Sequence, residues 1–68
     1  MPDIDTFAIE DAVCVAETDK AIRVTAPIFD APQWIPKSVV HDNSEVWKLD
    51  QTGTLIVREW FAEKQGWL

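Results

Sequence analysis

The sequence has one cysteine, one histidine and two glycines among 68 residues, and each shortage removes a class of function. Cys14 has no second cysteine with which to close a disulfide, so the chain is not a disulfide-stapled secreted mini-protein. Its flanks, Val13 and Val15, and the lack of a neighbouring base predict a small buried hydrophobe. Closed structural zinc sites want a full set of Cys or His ligands at fixed spacing. With Cys14 and His41 alone, no metal site is expected. Gly53 and Gly66 lie apart, each with a turn or capping role, so there is no glycine-rich loop for phosphates and no nucleotide cofactor is expected. Uncharged runs fall far short of the roughly 20 residues that a spanning helix needs. The N-terminus carries acids where an export signal needs a basic region, which predicts a cytoplasmic protein that leaves membranes alone.

Basic residues are also scarce, six Lys and Arg against twelve Asp and Glu, for a formal net charge of −6. The imbalance is local. Asp3, Asp5, Glu10, Asp11, Glu17 and Asp19 all precede the first basic residue, Lys20, and from there on the signs balance. A phosphate-backbone binder needs cations that release condensed counterions, so nucleic acid is disfavoured as a general partner. The plain reading of the acidic N-terminal segment is a solvated face that keeps a small protein soluble. The sharper one is a surface that competes for a basic protein partner.

What the chain does have is apolar and aromatic residue. Hydrophobic residues make up 47% and include four Trp and three Phe, a composition that folds rather than one that stays disordered. At this length only a single domain, 1–68, is possible, and its marginal core must be aromatic-dense or completed by a partner.

Residues 1–11 fit neither period, since Ile4 and Phe7 match a helical turn whereas Phe7 and Ile9 match a strand. Residues 12–17 and 20–26 read as a hairpin turning at Thr18-Asp19, with Ile22, Val24 and Ala26 on one face. Pro27, Pro32 and Pro36 break the middle, leaving Gln33-Trp34-Ile35 as a short strand and 37–40 as a turn or single helical turn. A turn at 41–44 precedes a second predicted hairpin, 45–49 with 54–57, which puts Trp47 and Leu49 on one side. Val57, Trp60 and Phe61 then follow helical spacing, with Glu59 early, Lys64 late, Gly66 as the stop and Trp67 folding back on Ala62 or Phe61. The expected fold is mainly β: a small five-stranded SH3-like or OB-like barrel, or curled antiparallel sheet, with a short C-terminal helix.

No residues form a catalytic set. Ser38, His41 and Asp42 crowd into one turn, whereas working triads are assembled from separated positions. The tryptophans could stack single-stranded bases beside Lys37, Lys48 and Arg58. Trp47 and Trp60, however, sit in periodic patterns that predict core positions, leaving Trp34 and Trp67 for a binding surface.

Three elements stand out in order: the strand start Thr18-Asp19-Lys20-Ala21-Ile22, the element Trp34-Ile35-Pro36-Lys37-Ser38 and the ending Glu59-Trp60-Phe61-Ala62-Glu63-Lys64-Gln65-Gly66. In them the chain resembles a group of small uncharacterised bacterial and phage proteins. The resemblance spans 18–66 and departs at Phe61, where an aliphatic residue is usual. It implies a phage or prophage origin and a role in binding host machinery.

These readings converge on a non-enzymatic, acidic protein-binding module, a modulator or inhibitor of a host nucleic-acid-handling or defence complex. Asp3, Asp5, Glu10 and Asp11 would meet a basic host or phage protein, with Trp34, Lys37 and Trp67 completing the contact. The alternative is an OB-like single-strand binder using Trp34 and Lys37. A third is a homo-oligomeric subunit joined through a sheet edge.

Overall fold

Apolar Phe7, Ile9, Ala12 and Cys14 recur along the stretch that begins at Thr6, and its β-branched Thr6, Ile9, Val13 and Val15 suit a pleated, half-buried surface. In the computed structural model, which describes residues 5–67, this stretch is one long strand, β1, Thr6–Glu17. It pairs with β2 (Ala21–Thr25) on one side and β4 (Thr52–Arg58) on the other, and β3 (Gln33–Pro36) adds beyond β2. The order β3-β2-β1-β4 makes an open, four-stranded, wholly antiparallel sheet. Thr18 sets the first turn: its Oγ1 accepts from the Ala21 amide at 3.0 Å while its own amide donates to the Ala21 carbonyl at 2.8 Å.

Two bulges bend β1. Glu10 and Asp11 together oppose one position of β4, and Val15 is the extra residue against β2. Asp11 takes a left-handed φ of 57°, which a short polar side chain tolerates. The first bulge moves the buried set from Ile9 to Ala12 and Cys14, so both halves of β1 face the same core. Ile22, Val24, Ile35, Leu55 and Val57 complete that face, and Val39, Val46, Phe61 and Ala62 cover it.

The helix α1, Glu59–Gln65, ends as the sequence predicts. Gly66 sits at φ 82°, its amide donates to the Glu63 carbonyl, and the Trp67 amide reaches the Ala62 carbonyl at 2.9 Å, the two bonds of a Schellman stop. Trp67 folds back between Phe61 and Phe29, with ring centroids 5.6 and 4.7 Å away. Nothing lies within 4 Å of a Cβ added at Gly66, so Gly66→Ala carries backbone strain alone. The expected cost is about 1 kcal/mol, a melting temperature lower by about 4–8 °C. An unchanged melt would show that the helix stop does not depend on the left-handed residue.

Three expectations are corrected. Among the described residues there are four strands in an open sheet and no fifth: 45–49 is loop, and the predicted hairpin of 45–49 with 54–57 does not form because β1 occupies one edge of β4. The other edge is taken by irregular chain, through a bridge of Val40 with Val57, the His41 amide on the Ile56 carbonyl and the Glu45 amide on the Thr54 carbonyl. Trp47 and Trp60 are not core, being 51% and 57% exposed. Core volume comes instead from aliphatic side chains, Phe61 and the half-buried Phe7, Phe29 and Trp67.

Candidate functional site

Because α1 and residues 39 and 46 pack on one face of the sheet, the described residues leave the opposite face uncovered. Its residues follow from the register. Trp34 on β3 stands opposite Arg23 on β2, which stands opposite Ala16 beside the bulged Val15, while Val13 lies next along β1 between Thr25 and Thr52. A solvated sheet face is ordinarily polar, yet Trp34 is 50% exposed here and Val13 and Val15 are exposed beside it. The Arg23 guanidinium lies 6.0 Å from the Trp34 ring centre, within reach of a cation–π contact. The Glu10 and Asp11 bulge then places two exposed carboxylates farther along the same strand.

The residues chosen from sequence fall into separate places. Glu10, Asp11 and Trp34 share the open face. Asp5 is exposed at the start of β1, where its carbonyl accepts from the Glu59 amide at 2.8 Å and ties the strand to α1. Trp67 is half-buried within the ring cluster, and Asp3 lies outside the described residues. The acidic segment is therefore no tail from Thr6 onward, since it forms the central strand.

Lys37 belongs to a second region, at the end of β1. Its Nζ lies 2.6 Å from Glu17 Oε2, and Glu17 Oε1 accepts from the Leu49 amide at 3.2 Å. One carboxylate thus joins the 3-10 turn Lys37–Val39 to the loop that carries Trp47. The bond from Lys37 and that from the Leu49 amide hold the Glu17 carboxyl below its ordinary range. A depressed carboxylate contributes stability that is present above its unfolded value of roughly 4.3 and is lost as pH falls through the folded value. Glu17→Gln should therefore be less stable than the wild type at about pH 7 and equal to it at about pH 2. Urea midpoints at both pH values read this directly, and a gap that persists in acid would assign the loss to packing instead of charge.

Between Lys37 and Trp47 lies a cleft of about 270 Å³, also lined by Val40, His41 and Asp42. Lys48 Nζ sits 5.0 Å from the Trp47 ring centre. His41 Nδ1 accepts from the Asn43 amide at 3.0 Å, so the predicted turn at 41–44 is present and this nitrogen is an acceptor within it. The sequence does not reveal this cleft, because the alternation around Trp47 predicts a strand with its indole in the core. Its only local signal was the polar setting of Trp47, between Glu45 and Lys48.

Cys14 is buried, its thiol donating to the Ala16 carbonyl at 3.2 Å, and burial pushes its pKa up, as suits a packing residue. Among the described residues no helix is long and apolar enough to cross a membrane. No protein-family model matches the chain, nor does any curated protein or solved structure.

Proposed function

We propose that the protein is a non-enzymatic binding module that meets a basic protein partner through the uncovered face of its sheet. The observation that carries this reading is the run of Trp34, Val15 and Val13 exposed on a sheet face that none of the described elements covers, beside the Glu10 and Asp11 carboxylates. Exposed apolar patches rimmed by charge are the usual mark of an interaction surface, and tryptophan is enriched among the residues that dominate binding energy. A net charge of −6 steers a cationic partner toward the face and raises its association rate. A protein that handles nucleic acid presents such a surface, which supports the reading as a modulator or inhibitor of a host complex. The two bulges of β1, with 40–45 lying along the other edge of β4, support an SH3-like or OB-like curled sheet as the finer description of the fold.

The test is capture of partners by the tagged protein from a bacterial lysate, with and without nuclease, followed by affinity measurement on the protein recovered. A nuclease-resistant partner should lose at least about tenfold in affinity with Trp34→Ala. Recovery of nuclease-sensitive material alone, or a partner indifferent to Trp34→Ala, would refute the proposal.

A further inference from the structure

The cleft at Lys37 and Trp47 is separate from the sheet face and has different chemistry. Lys37 stands in the wall, and Lys48, which is not itself a lining residue, lies against the Trp47 ring. Trp47 offers a half-exposed indole, a flat surface on which another ring can stack. Asp42 adds an acceptor to the wall. The volume, about 270 Å³, sits just below the roughly 300–1,000 Å³ of drug-sized sites. It suits a ligand with a single aromatic ring.

Lys37 already holds an anion. Glu17 approaches it at 2.6 Å although both side chains are about a third exposed, so the pair is open to exchange with solvent ions. We propose that this cleft binds a small aromatic anion, its ring on Trp47 and its carboxylate or phosphate on Lys37 and Lys48, and that Glu17 occupies the anion's place when the site is empty. Lys48, drawn to the Trp47 face by cation–π attraction, swings toward the charge as the ring takes its position. Asp42 selects rings that carry a donor N–H or O–H. An incoming anion exchanges one ion pair for another at Lys37, so the affinity is modest and falls with salt.

Glu17→Gln separates this site from an ordinary surface cleft. Glutamine keeps an oxygen for the Leu49 amide, so the loop stays tethered, but the charge that competes for Lys37 is gone. The experiment is a two-dimensional amide NMR titration of the full chain, in which each tryptophan indole N–H gives its own signal. The probes are 4-hydroxyphenylacetate and uridine 5′-monophosphate, each against its neutral counterpart, 4-hydroxyphenylacetamide and uridine. At least one anion should shift the Trp47 indole signal below about 10 mM and bind about tenfold more tightly than its neutral form. Which of the two does so assigns the anionic group as carboxylate or phosphate. Glu17→Gln should tighten that binding about two- to fivefold, the scale of an exposed ion pair. Lys37→Gln should abolish it while the remaining amide spectrum stays dispersed. The proposal is overturned if neither anion moves Trp47, if the neutral forms bind as well, or if Glu17→Gln leaves affinity unchanged or lower. Tight binding of a single-stranded oligonucleotide without binding of the mononucleotide would also overturn it, pointing to a polymer groove.

Discussion

Replacing Ser44 by alanine is expected to remove about 2–4 kcal/mol of stability, because its hydroxyl satisfies three backbone groups at a buried position. Ser44 Oγ donates to the Val46 carbonyl at 2.8 Å and accepts from the Val46 amide at 3.2 Å and the Ile56 amide at 3.0 Å. One donor and two lone pairs are the whole capacity of a hydroxyl. Alanine offers none of them, and Ser44 is only 6% exposed, so water has poor access to stand in. The Ile56 amide belongs to β4, which makes Ser44 the peg that fixes the irregular 40–46 segment along the strand edge that β1 leaves free. A chain of 68 residues has roughly 3–10 kcal/mol in total, so the loss should bring the urea midpoint down sharply. Amide exchange gives a second readout: Ile56 should lose protection first. A loss below about 0.5 kcal/mol would mean that solvent replaces the hydroxyl without cost.

Ser44 also shows where sequence reading stops. A serine in the cluster His41-Asp42-Asn43-Ser44 announces a turn, and the turn is there, but nothing local reveals that its hydroxyl reaches twelve residues ahead to a strand amide. The features legible in advance were those fixed within a few residues: the Thr18-Asp19 turn, the proline-bounded strand at Gln33–Pro36, the helical turn after it, and the helix with its glycine stop. The misreadings are decided by long-range pairing. Residues 6–17 did not read as one strand because the bulge at Glu10 and Asp11 puts Phe7 and Ile9 out of phase with Ala12 and Cys14. Residues 45–49 alternate like a strand, yet the loop is set by side chains: Gln51 Oε1 accepts from the Trp47 and Lys48 amides at 2.8 and 3.0 Å. Lys37 was a visible candidate and Trp47 read as core, and nothing local shows that the Glu17 carboxylate joins their segments at one cleft. The open face needed the register of three strands before Trp34, Arg23 and Val15 could be seen as neighbours.

At the other end of the same loop, Gly53→Ala is expected to cost about 3 kcal/mol through two separable effects. Gly53 holds φ at 134°, a region that a side-chain-bearing residue enters only with strain of about 1–3 kcal/mol. A Cβ built there would also stand 2.5 Å from Glu45 Oε1 and 3.2 Å from Glu45 Cβ. That Oε1 accepts from the Thr54 amide at 2.8 Å, so moving Glu45 aside breaks a bond to a carboxylate worth roughly 1.5–3 kcal/mol. The pairing explains the position: Gly53 faces Ala12, the first β1 residue past the bulge, where the two backbones and the Glu45 side chain crowd together. Glu45→Ala removes the bond and the 2.5 Å clash with the carboxylate, leaving only the closer-than-usual Cβ contact at 3.2 Å, which lets a double-mutant cycle divide the cost. With alanine at 45, the second change Gly53→Ala should cost the backbone strain and the residual Cβ contact, about 1 kcal/mol or more less than it does in the wild type. If Gly53→Ala costs the same in both backgrounds, Glu45 does not lean on the glycine, and the φ requirement alone keeps a glycine there.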